Sequence, residues 1–123
     1  MAKKRIVLAN LPRMLATIVT SLIDRQPDMS VVGSVKLGDV TSVASCVRAE
    51  AVVLTPSRLD PTHATREALR RSNPGLVVLE LRVRDDRAVL WSPGAEPAHV
   101  DLTAAAIVGA LRDPARSATG GAG

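Results

Sequence analysis

Short, wholly apolar runs alternate along this chain with stretches of helical periodicity, and that alternation restricts the fold more than any other feature. Arg5-Ile6-Val7-Leu8-Ala9 reads as a first strand. Residues 12 to 26 then place Leu15, Ile18, Val19, Leu22 and Ile23 at i, i+3, i+4, i+7 and i+8, one face of a helix. Pro12 suits its first turn, and Pro27 marks its end because a proline pushes the preceding residue out of the α region. Met29–Val35 is a second strand. Asp39 is placed to cap a second helix carrying Val40, Val43, Ala44 and Val47, and Ala51–Leu54 is a third strand, apolar throughout and therefore central. Asp60-Pro61 reads as cap and first-turn proline of a helix reaching about Ser72, and Asn73-Pro74-Gly75 breaks the chain before a fourth apolar strand.

The pattern changes after Leu81. Leu81-Arg82-Val83-Arg84 alternates, Asp85-Asp86 looks like a turn, and Arg87–Trp91 is again strand-like, so a β-hairpin is expected with its second strand antiparallel to the first. Ser92-Pro93-Gly94 ends that strand, and Asp101 is placed to cap a last helix through Leu111. The order β-α-β-α-β-α-β-β-α implies a flavodoxin-like α/β three-layer sandwich. Its sheet has five strands, mostly parallel, with the last antiparallel. Residues 1–113 form one domain, and the Gly-, Ala- and Ser-rich residues 114–123 are expected to be a disordered tail. With one Trp and no Phe or Tyr, the core must be built from Val, Leu, Ile and Ala, which suits strands buried on both faces.

Several functional classes find no support. The single Cys46 allows neither an internal disulfide nor a multi-cysteine metal site, and it is expected as a small buried residue of the second helix. No cluster of histidines and cysteines is present to hold a metal, and His99 stands alone as a surface histidine. The first strand leads into Asn10-Leu11-Pro12 with no glycine before Gly33, which argues against a dinucleotide or triphosphate cofactor. The apolar run after the basic Met1–Arg5 is too short for a leader or a membrane span, so a cytoplasmic location and no membrane partner are expected. The net charge of +4 is spread from Arg5 to Arg116. Arg66, Arg70 and Arg71, with Arg58 before them, form a basic helix face read as solvated and partly paired with Glu67. Nucleic acid is disfavoured because no aromatic stacking platform accompanies it. Thr55, Ser57, Asp60 and His63 lie close together, but Asp60 has a capping role and no Gly-x-Ser-x-Gly elbow is present. Loop chemistry rather than catalysis is therefore the reading.

The stretch Arg25-Gln26-Pro27-Asp28-Met29-Ser30-Val31-Val32-Gly33, with the first strand, first helix and Val52-Val53-Leu54, resembles the receiver domains of response regulators. The likeness is to those attached to helix-turn-helix transcription factors, and it covers roughly residues 4 to 80. The resemblance implies a signalling context. Such domains hold Mg²⁺ on an acidic pair after the first strand and accept a phosphoryl group on an Asp after the third. A hydroxyl residue ends their fourth strand and a Lys their fifth. The carboxylates supply hard oxygen ligands, and the Lys neutralises phosphoryl charge. Here the matching positions are Ala9 and Asn10, Thr55, Glu80 and Ser92. No acidic residue precedes Asp24, and no Lys follows Lys36. The expectation is a pseudo-receiver that cannot be phosphorylated by the family mechanism and is not an enzyme. It would act by protein–protein interaction, as a homodimer or on another signalling protein. The hairpin replaces the crossover helix of a receiver, so its fourth strand is expected to lack cover on one face, with Leu81, Val83, Val89 and Trp91 forming the interface. The alternatives are a small-ligand sensor at the carboxyl ends of the strands, near Asn10, Thr55 and Ser57, or a small enzyme whose acid/base groups converge there.

Overall fold

The computed structural model describes residues 3–56 and 62–114. Strand β1 (Lys4–Ala9) leads to helix α1 (Arg13–Asp24), then β2 (Met29–Val35), α2 (Val40–Val47), β3 (Ala51–Leu54) and α3 (Thr62–Ser72). The hairpin β4 (Val77–Arg82) and β5 (Arg87–Trp91) follows, then β6 (Ala98–Asp101) and α4 (Ala104–Arg112). Among the described residues the six strands build one sheet in the order β2-β1-β3-β4-β5-β6. β1 pairs in parallel with β2 and β3, and β3 with β4. β5 runs antiparallel to β4, and β6 antiparallel to β5, so β5 alone is reversed.

The apolar runs become central strands because both faces of the sheet are covered. Ile6, Leu8, Ala51, Val53, Leu79, Leu81, Ala88 and Leu90 point to one face, where Val19 and Ile23 of α1 and Ile107, Val108 and Leu111 of α4 close the core. Val7, Ala9, Val52, Leu54 and Val78 point to the other, against Val40 and Ala44 of α2 and Leu69 of α3. β2 contributes to both faces through a bulge. Ile6 is opposite Val31 but Val7 is opposite Gly33, so Val32 is an extra residue. The slip reverses the alternation: Met29 and Val31 serve the α1–α4 face, whereas Val35 joins the core under α2. A Cβ on Gly33 would lie 3.5 Å from Val43 of α2.

The hairpin closes as expected, through one 3₁₀ turn at Val83–Asp85 and Asp86 in the left-handed region at φ 54°. Other expectations need correction. The sheet has a sixth strand, Ala98–Asp101, which pairs with β5. Asp101 therefore lies in a strand rather than at a helix cap. The cap of α4 is Thr103, whose hydroxyl accepts a hydrogen bond from the Ala106 amide at 3.2 Å. Asp39 occupies the cap position of α2 but makes no side-chain cap bond. Ile18, assigned to the buried stripe of α1, is 54% exposed, because its neighbours Val19 and Ile23 take the core-facing positions. Cys46 is exposed on α2, where Val40 and Ala44 take the buried places. The expected caps Asp60 and Pro61, with Ser57 and Arg58, lie outside the described residues, as do residues 115–123. No helix among the described residues is long and apolar enough to cross a membrane.

Candidate functional site

The carboxyl ends of β1 and β3 meet at one edge of the sheet, the place where α/β folds gather their ligand chemistry. β1 ends in Ala9, and Asn10 then adopts φ 58°, a left-handed conformation that asparagine tolerates better than most residues. The turn lets Asn10 reach β3. Its Nδ2 donates to the Thr55 carbonyl at 3.0 Å, and Thr55 Oγ1 donates a short hydrogen bond back to the Asn10 carbonyl. The backbone joins the tie: the Thr55 amide donates to the Ala9 carbonyl at 3.3 Å and the Asn10 amide to the Val35 carbonyl at 3.0 Å. Three strand ends are thereby locked together by neutral groups, with Thr55 buried. Beside the tie lies an open cleft of about 420 Å³, with Pro12, Thr55 and Pro56 on one wall and Leu81, Arg82 and Val83 on the other.

Glu80 and Ser92 do not join this edge. Glu80 sits within β4, opposite Leu54 and Val89, only 2% exposed. Its carboxylate accepts a hydrogen bond from Arg82 Nε at 3.3 Å. Above it, Arg66 of α3 lays its guanidinium over the Trp91 ring, 3.6 Å from the centroid. Burial pushes the Arg66 pKa down, and the nearby Glu80 and Glu67 charges oppose that shift. Arg66 is therefore a buried cation rather than part of a solvated basic face. Arg70 faces Glu67 at 3.9 Å with both side chains well exposed. Ser92 follows the reversed strand β5, whose Trp91 is opposite Val78 near the start of β4. Its exit thus lies at the opposite edge from Asn10 and Thr55, and strand direction alone separates Ser92 from the rest of the expected set. Ser92 Oγ and Trp91 Nε1 are buried and have no hydrogen-bond partner among the described residues.

The hairpin residues also separate. Leu81 is fully buried under α4, Val89 is 8% exposed, Trp91 is half-buried beneath Arg66, and Val83 is 53% exposed. The fourth strand was expected to leave an apolar face uncovered. Instead α4 covers one face of β4 and Leu69 of α3 reaches the start of the other. Beyond Glu80 and Val89, which are buried, the residues are charged and exposed: Arg82, Arg87 and Asp101 form a row across three strands. An antiparallel sheet can present such a face to water without a covering helix.

Compared with protein-family models, curated proteins and solved structures, the chain matches none. Among the described residues no group of three or more His, Cys, Asp or Glu side chains is placed to hold a metal ion. His63 lies in α3.

Sequence reasoning missed the Arg66–Trp91 contact and β6. Ala98-His99-Val100-Asp101 does alternate with period two, a signal that could have found the strand. Nothing local marks Arg66 as the one arginine of α3 that turns inward.

Proposed function

We propose that this chain is a flavodoxin-like, receiver-like module that works by protein–protein contact, without accepting a phosphoryl group, and that it acts as a homodimer. The observation that carries this reading is the reciprocal tie between Asn10 and Thr55. These residues stand where the receiver likeness calls for a cation-binding carboxylate and an acceptor carboxylate. Their polar groups are instead spent on each other and on the backbone of three strands. A neutral amide and hydroxyl offer no charged oxygen to a divalent cation, which prefers several hard oxygen ligands. The strand order β2-β1-β3-β4-β5 agrees with a flavodoxin-like arrangement, with β6 added at the end.

The test is incubation with Mg²⁺ and acetyl phosphate, followed by intact mass, and with Mg²⁺ and beryllofluoride, followed by amide NMR shifts. No phosphoryl adduct and no shifts around Asn10 and Thr55 are expected. A covalent adduct, or shifts centred on that edge, would refute the reading.

A second reading has the cleft of about 420 Å³ in its favour. There the chain is a sensor for a small ligand seated between Pro12, Pro56 and Val83. A raised melting temperature on screening small anionic and apolar compounds, lost in Val83→Asp, would favour it over the first.

A further inference from the structure

We infer that the open face of β4, β5 and β6 holds a phosphate group, gripped by Arg82 and Arg87 over Val89. The site is separate from the Asn10–Thr55 tie, and the inference holds whether or not the chain dimerises.

The register sets two arginines against each other. Arg82 and Arg87 are directly opposite in the β4–β5 hairpin, and both are exposed. Residues so placed share one face with Cβ atoms about 4.5–5.5 Å apart, and like charges there are destabilising. A hairpin selected for stability alone sets opposite charges at such a pair. An anion between the two guanidinium groups turns their repulsion into attraction, and local rules of this kind are broken at functional sites.

Arg82 is fixed in place before any anion binds. Its Nε donates to Glu80 at 3.3 Å, and the Glu80 side chain is 2% exposed. Arg66 also acts on Glu80 from α3, so one buried carboxylate is shared by two cations. A buried carboxylate is costly unless paired, and here it orients the guanidinium of Arg82. Donation through Nε leaves the terminal nitrogens of the fork to donate elsewhere. Arg87 makes no ion pair among the described residues, although Asp101 stands across from it on β6.

The two arginines, His99 and Asp85 line a depression of about 370 Å³ with Val89 as its apolar part. His99 is directly opposite Val89 and offers a ring N–H. Asp85 is the one carboxylate in this lining, against two guanidinium groups. These donors select the class of anion. A carboxylate has two oxygens and one charge, which a single guanidinium fork satisfies. A phosphate group has three free oxygens and close to two charges, enough for both forks and the imidazole.

The test is amide NMR on the isotope-labelled full chain at neutral pH and about 0.15 M salt, where exposed charges are screened. Inorganic phosphate, glycerol phosphate and acetate are titrated in turn. Both phosphates should shift Arg82, Arg87, Val89 and His99, and acetate should bind roughly tenfold more weakly. Tighter binding of glycerol phosphate assigns the site to a phosphate ester, and tighter binding of inorganic phosphate to the free anion. Arg87→Gln, at an exposed position, should keep its circular dichroism and weaken phosphate by roughly tenfold or more. Arg71→Gln, exposed on α3 and outside the depression, should bind as wild type does. No shifts, shifts centred on Asn10, Thr55 and Val83, acetate binding as tightly as phosphate, or an unchanged affinity in Arg87→Gln would each overturn the inference.

Discussion

Leu81 offers the sharpest test of how the hairpin is set into the core. The side chain is fully buried against the α1–α4 face, while Val83, two residues on, is 53% exposed. Truncating a buried leucine to alanine removes its transfer free energy and leaves a cavity that relaxes only in part, a cost of about 3 kcal/mol within a range of roughly 2–5. A domain of this size has a total stability of about 5–15 kcal/mol. Leu81→Ala should therefore lower the melting temperature by roughly 10 °C, at about 4 °C per kcal/mol. In urea it should lower the midpoint with the slope unchanged. Val83→Ala should stay within about 0.5 kcal/mol. The comparison discriminates because a one-residue slip of the β4–β5 register would carry Leu81 to the opposite face and bring Arg82 inward. Were Leu81 an interface residue on a folded monomer, its truncation would change the molecular mass in solution more than the urea midpoint. A Leu81→Ala midpoint within error of wild type would refute the placement of the hairpin.

Two further outcomes follow from the polar contacts. Arg66→Ala should cost about 2–3 kcal/mol in urea unfolding, from loss of the stacking on Trp91 and of a cation beside buried Glu80. Adding Glu80→Gln should recover about 1 kcal/mol of that, and strict additivity of the two substitutions would show that they do not communicate. The second outcome concerns pH. The Arg112 guanidinium hydrogen-bonded to Asp28 holds that carboxyl below the usual carboxylate range. The folded value is the lower one, so the stabilisation is present above the unfolded-state pKa and disappears as pH falls through the folded-state pKa. NMR titration of Asp28 should show the lowered value in the wild type and its return toward the ordinary range in Arg112→Ala, and an unmoved Asp28 would exclude Arg112 as its cause.

The local chain determined much of this protein before any packing was considered. Apolar runs at Ile6–Ala9, Ala51–Leu54 and Leu76–Leu79 could satisfy their surface only as strands covered on both faces, and the intervening 3.6-residue periodicity supplied the covers. Asp85-Asp86 between alternating segments announced the hairpin, and with it the absence of a crossover helix. The lack of a carboxylate at the end of β1 was also legible, since no acidic residue precedes Asp24. Tertiary structure decided what depends on direction and on distant partners. The reversal of β5 carries Ser92 to the far edge, away from Asn10 and Thr55. A short strand such as β6 is held by a ladder to β5 rather than by its own propensity, so its four residues carried a weak signal. Arg66 turns inward only because Trp91 and Glu80, well separated from it in sequence, lie beneath α3. Side-chain burial is set by what the fold brings within a few ångströms, and periodicity along one element carries no record of that.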